Sequence, residues 1–153
     1  MLKLSEALFT LIRRHGEATY PHECCGVLLG LSADGTNEVH DAIEAGNTRT
    51  DSAHNRYHIA PQELIKIQRQ GRQRGLDIVG FYHSHPDHPA MWSTTDFAEA
   101  HWLGCSYVIT AITNGHAAQT NSFLLTGTSE EDKIFLDEQI AVQPAPVPES
   151  ARC

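Results

Sequence analysis

An α/β (α+β) fold, one domain with a mixed β-sheet flanked by helices, is predicted by three features of this chain. Helical and extended patterns alternate along it, two hairpin signals separate pairs of apolar runs, and one further run is apolar on both faces, as a covered central strand must be. The 153 residues suffice for a single domain with a real core. No internal repeat and no second domain is visible.

Residues 3–14 carry Leu4, Leu8, Leu11 and Ile12 at helical spacing, with Gly16 as the stop. The apolar run CGVLLGL at 25–31, the turn signal ADGT at 33–36 and residues 37–43 form a β-hairpin. A polar stretch over roughly 45–55 reads as a loop, and 56–60 as a brief strand. Pro61 suits the first turn of a helix, where its missing N–H costs nothing. That helix is expected to reach about Arg74, with Leu64, Ile65 and Ile67 inward and Gly75 as cap. LDIVGFY at 76–82 is the central strand. Two prolines make 83–92 irregular. Ser93 is a helix N-cap with Asp96 three residues later, and the helix continues to about Trp102. SYVITAIT at 106–113 and residues 116–125 flank Asn114-Gly115, a strong hairpin signal. Residues 133–142 read as a last strand, with a helix over KIFLDEQ as the open alternative. The end, VQPAPVPESARC, holds three prolines in twelve residues and is expected to be disordered. The domain is therefore placed at 1–143 and the Pro-rich tail at 144–153.

Hydrophobic residues at 41% and charged residues at 20% match ordinary globular usage, which argues against disorder and against a fibrous repeat. The formal net charge is −8, with no stretch rich in Lys and Arg. Phosphate neutralisation needs such a stretch, so nucleic acid is excluded as a partner. Glu6, Arg13 and Arg14 interrupt the first apolar run, which is then neither a signal core nor a membrane span. Cys24, Cys25, Cys105 and Cys153 form no C-x-x-C pair, and a reducing cytoplasm is the expected compartment. The first three read as small buried apolar groups.

The chemistry concentrates in FYHSHPDHPAMWSTTD at 81–96. In extended backbone, residues two apart share a face, so His83 and His85 can reach one point. They lie just beyond a core strand, where α/β proteins tend to place ligands. The intervening loop lets Asp96, in the first turn of the next helix, return to the two rings. Two imidazoles and one carboxylate suit zinc and leave a fourth position open. A closed structural site would need a fourth ligand, and no cysteine pair supplies one. The plainer reading is a histidine-bearing turn followed by an ordinary Ser-x-x-Asp cap. The joint pattern, His-Ser-His-Pro, then Ser-x-x-Asp with seven residues between the second His and the Ser, weighs against chance.

That pattern resembles the signature of the JAMM (MPN-plus) metallopeptidases. PHECCGVLLG at 21–30 supplies the upstream Glu before a glycine-flanked apolar strand. The similarity extends from the first helix to about residue 125. The resemblance implies an MPN/JAMM (cytidine deaminase-like) architecture. It also implies one Zn²⁺ per chain held by His83, His85 and Asp96. Glu23 is then the general base that moves a proton from water to the leaving amine, and Ser93 an oxyanion donor as well as a cap. Ser84 should point away from the metal, and Pro86 should fix the turn. Trp92 departs from the family pattern just before Ser93 and bears on the shape of the site mouth. His88 reads as a solvated loop histidine near the site, with substrate contact as the alternative. His101 does not align with Asp96 on a helix. His15, His22, His40, His54, His58 and His116 are given no metal role.

The family cuts amide or isopeptide bonds after the C-terminal Gly-Gly of ubiquitin or ubiquitin-like proteins. This short chain is more similar to the compact prokaryotic members acting on ubiquitin-like sulfur-carrier proteins. The implied reaction releases cysteine from a carrier–cysteine adduct, which would serve cysteine biosynthesis. The alternatives are an isopeptidase or C-terminal processing peptidase for ubiquitin-like proteins, a non-catalytic MPN-type scaffold, and a histidine-rich metal store. The scaffold is disfavoured because all the ligands are present, and the store would take several metals per chain. A zinc deaminase on a related sheet is rejected, because P-C-x-x-C is absent.

Overall fold

A computed structural model describes residues 1–46 and 58–145. The elements, in chain order, are β1 (Leu2–Ser5), α1 (Glu6–Thr19), β2 (Cys25–Ala33), β3 (Thr36–Ala45), α2 (Pro61–Gln73), β4 (Asp77–Pro86), α3 (Thr94–Ala98), β5 (Ser106–Thr113), β6 (His116–Thr126), β7 (Ile134–Glu138) and β8 (Ile140–Gln143). The architecture is the expected mixed sheet with helices. Most of the expected loop at 45–55 with His54, the first residues of the expected strand at 56–60, and the tail from residue 146 with Cys153 lie outside the described residues. Residues 58–60 belong to no strand.

The strands form one sheet in the order β7-β6-β5-β4-β2-β3-β1-β8. β4 and β5 run parallel at its centre, while the two hairpins β2–β3 and β5–β6 supply antiparallel pairs. β7 pairs with β6 and β8 with β1, yet Gln139 alone separates β7 from β8. One extended stretch thus joins both ends of the sheet, which curls back toward itself. On one face α1 packs Leu8, Phe9 and Ile12 against Leu28, Tyr82 and Val108. On the other, Leu64 and Ile67 of α2 pack against Val27, Leu29 and Phe81.

Several local expectations need correction. The start of the chain is a strand, because Leu2 and Leu4 are buried at alternating positions. The helix begins only after Ser5, whose Oγ accepts from the Leu8 N–H at 3.2 Å. It also runs through Gly16. A Cβ there would lie 2.7 Å from Ile112 Cδ1 and 3.2 Å from Ser84 Cβ, so Gly16 marks close helix–sheet approach and not a stop. Ile65, expected inward, is 54% exposed. Residues 83–86 are not irregular. β4 continues through Pro86, which stands at the strand's end opposite Ile112 of β5, where a missing donor is tolerated. α3 stops at Ala98. Residues 134–143 are extended, so the helical alternative over KIFLDEQ fails. No helix among the described residues is long and apolar enough to cross a membrane.

Gly80 lets β4 and β5 approach, since a Cβ there would overlap the Ser106 carbonyl oxygen. Backbone cannot step aside as a side chain can. Gly80→Ala is therefore expected to cost about 1–3 kcal/mol, the usual range for overpacking. At about 2–4 °C per kcal/mol for a domain of this size, thermal unfolding should show the loss. An unchanged melting temperature would contradict this packing.

Candidate metal centre

The antiparallel register sets Cys25 of β2 opposite His83 of β4. One step outward, the Cys24 N–H donates to Ser84 Oγ at 2.8 Å, and the Ser84 N–H donates to the Cys24 carbonyl at 3.2 Å. Ser84 therefore points away from the histidines, as expected, and ties the two chain segments together. Alternation then puts Glu23, His83 and His85 on one face. Ligand atoms of these three lie within 4.8 Å of one another. Glu23 is 3% exposed and His83 2%.

Asp96 arrives from α3. Ser93 and Asp96 form a full capping box: Ser93 Oγ accepts from the Asp96 N–H at 3.0 Å, and Asp96 Oδ2 accepts from the Ser93 N–H at 2.8 Å. The cap turns the carboxylate back toward β4. Asp96 Oδ2 lies 3.1 Å from His85 Nε2, Asp96 Oδ1 lies 3.4 Å from His83 Nε2, and the two Nε2 atoms are 3.1 Å apart. Donors about 2.0–2.1 Å from a tetrahedral cation would stand roughly 3.3 Å from each other. The three separations match that spacing, so this donor set fits a small divalent metal ion.

Protonation supports the fit. His85 Nδ1 lies 2.9 Å from the Pro89 carbonyl oxygen. A carbonyl only accepts, so Nδ1 carries a proton and Nε2 is the ring nitrogen that faces the centre. Burial lowers the pKa of His83 despite the opposing pull of Asp96. At His85 burial also acts downward, but bonds to Asp96 and the Pro89 carbonyl outweigh it and the net shift is upward. Burial acts upward on Asp96, yet its contacts with both imidazoles win and hold it far below the usual carboxylate range. These directions favour an ionised Asp96 and a neutral His83, the forms that bind a cation, while His85 must give up any proton on Nε2 to do so.

A cleft of about 360 Å³ opens beside these groups, lined in part by Glu23, His85, His88, Met91, Trp92 and Ser93. His88 is an exposed loop histidine and also a wall of the cleft. Trp92 packs at a tilt against Phe97 and Phe135, with each centroid distance 5.5 Å, so it braces the rim. His101 bonds to Glu130 at 2.7 Å. Burial pushes the Cys24 thiol up to about 11 and those of Cys25 and Cys105 up to about 12, which leaves them unreactive apolar filler. Sequence reasoning missed one brace of the site. Asp87, at positive φ, accepts from the Tyr20 hydroxyl at 2.6 Å and from the Asn114 N–H at 2.9 Å. It links the segments before Glu23 and after His85. Its only sequence signal is an Asp after Pro86, too common to notice.

This fold and donor set define a single α+β domain with a metal-type site at the end of a central strand. The chain belongs to the prokaryotic homologs of the JAB domain, a family it matches over residues 5–125. It is thus one of the compact prokaryotic relatives of the JAMM proteins. It is 38% identical over 89 residues to the desampylase of Haloferax volcanii, a match covering 58% of this chain and 62% of that one. It is 36% identical over 74 residues to a probable TtuB-protein conjugate cleaving protease of Thermus thermophilus, covering 48% and 49%. The chain therefore spans less than two thirds of the length of either curated relative. Among solved structures, a protein of Salinibacter ruber is 36% identical with TM-score 0.69, over 96% of this chain and 93% of that one. A protein of Desulfitobacterium hafniense shares the fold with TM-score 0.79 at 22% identity, over 100% of both chains.

Proposed function

We propose that this chain is a zinc-dependent hydrolase that cleaves the amide bond after the C-terminal Gly-Gly of a ubiquitin-like protein. The observation that carries the reading is the meeting of His83, His85 and Asp96 at one point with Glu23 beside them, in a chain of the JAB family. When bound, zinc supplies Lewis acidity that makes water nucleophilic near pH 7 and polarises the scissile carbonyl. The two histidines and Asp96 hold the ion. Glu23 takes the proton of the attacking water and delivers it to the leaving amine. Ser93 Oγ spends a lone pair on the Asp96 N–H, which leaves its O–H able to donate to the oxyanion. A narrow Gly-Gly tail suits extended binding beside the strands.

The name of the Thermus relative, a conjugate-cleaving protease, favours a protein-linked lysine as the leaving group. Release of cysteine from a sulfur-carrier adduct is the second reading, the one implied by the resemblance of the motif to prokaryotic members acting on ubiquitin-like sulfur carriers. Three buried free thiols among the described residues suit a reducing cytoplasm. The test offers a ubiquitin-like carrier joined either to a lysine side chain or to cysteine, with and without chelator. Mass measurement of the carrier should show chelator-sensitive cleavage of the first faster than the second. Preference for the cysteine adduct would select the second reading, and cleavage of neither would end both.

Ser93→Ala separates the two jobs of that residue. Loss of the cap should cost about 1 kcal/mol of stability. Loss of an oxyanion donor should lower kcat by about 10²–10³. A lower melting temperature with unchanged kcat would leave Ser93 as a cap alone.

A further inference from the structure

α3 has five residues, too few to stand by its own hydrogen bonds. Its N-terminal end is held by the capping box. Its C-terminal end is held from outside the site. Lys133, just before β7, is 9% exposed, and its Nζ donates to the carbonyls of Ala100 at 2.8 Å and Ala98 at 3.5 Å. An ammonium at the carbonyl end of a helix also meets the favourable end of the backbone dipole. The same Nζ stands 5.0 Å above the centroid of the Phe97 ring, next in sequence to Asp96. Glu130 Oε2 holds the ammonium at 2.7 Å, and Glu130 Oε1 is 2.7 Å from His101 Nδ1. The turn carrying Glu130 is itself fixed, since Asp132 Oδ1 accepts from the N–H groups of Thr128 and Ser129 at 2.9 and 2.7 Å.

We infer that Lys133 is a positioning residue for the metal centre, clamping α3 from behind so that the Asp96 carboxylate meets His83 and His85. The inference rests on the reading of Asp96 as a metal ligand. Lys133 touches neither the donors nor the cleft, so it acts only through the helix. Without it, two carbonyls lose a buried donor, and the helix keeps its N-terminal cap and the packing of Phe97 but loses this polar tie at its C-terminal end. The carboxylate can then drift from the point the two imidazoles share.

The test measures zinc affinity of the full chain by competition with a chromophoric chelator, beside the melting temperature of the metal-free protein. Lys133→Met keeps the bulk of the side chain and removes charge and donors. It is expected to weaken zinc binding about 10–100-fold, the usual cost of losing an outer support of a ligand. Lys133→Arg, which keeps both charge and donors, should recover most of the affinity. In an Asp96→Asn background, Lys133→Met should weaken binding by much less, because the two residues act on one path. If Lys133→Met does not fold, Lys133→Gln carries the same comparison. Parent-like zinc affinity with a lowered melting temperature would reduce Lys133 to a structural prop and overturn the inference alone. An undiminished loss in the Asp96→Asn background would overturn it too. A parent protein that binds no zinc would overturn the reading beneath it as well.

Discussion

Glu23→Gln is expected to abolish amide cleavage while zinc stays bound. Glutamine keeps the shape of the side chain at a site only 3% exposed, so packing should survive. What is lost is the carboxylate that accepts a proton beside His85. General acid–base assistance contributes about 10²–10⁴ in rate, and in the proposed mechanism Glu23 serves both halves of the proton transfer, so the fall in kcat should reach the upper part of that range. Metal content, measured on the purified variant, should match the parent. Loss of metal would make Glu23 a ligand, which its place within 4.8 Å of both imidazole donors makes a real alternative. Near-normal turnover would remove it from the chemistry altogether.

Asp96→Ala should differ by losing both metal and activity. This carboxylate is the group common to the cap and the centre: it accepts from Ser93 and faces both imidazoles at 3.1 and 3.4 Å. Two histidines alone offer no anionic ligand. The variant should show turnover at background and no rise in melting temperature when zinc is added. The parent should be stabilised by zinc, because a ligand that binds only the folded state raises stability with its concentration. Metal-dependent stabilisation of Asp96→Ala equal to that of the parent would refute its assignment. The contrast between the two variants, one metal-replete and inactive and the other metal-free and inactive, separates base from ligand.

Much of this was legible from the chain. Both hairpins announced themselves through local turn chemistry at Asp34-Gly35 and Asn114-Gly115, and α2 through Pro61. The i, i+2 spacing of His83 and His85 and the Ser93-x-x-Asp96 cap brought three donors to one point, as extended and capped backbone require. What escaped is non-local. Leu2–Ser5 is strand because β3 and β8 lie beside it, and nothing within four residues reports that. Residues 134–143 serve both ends of the sheet because the sheet curls, a property of the whole. Gly16 reads as a helix stop until Ile112, far along the chain, is seen against it. Lys133 and Asp87 belong to the same class: their partners are set by the fold, Lys133 sits in no motif, and Asp87 falls in the unspecified spacer of one.

The most direct measurement is anomalous diffraction at the zinc edge from crystals of the zinc-loaded chain. One peak is expected, about 2.0–2.2 Å from His83 Nε2, His85 Nε2 and an Asp96 carboxylate oxygen, with Glu23 nearby but unbound. A peak held by Glu23, His83 and His85 with Asp96 left to its cap, or no peak beside the histidines, would contradict it.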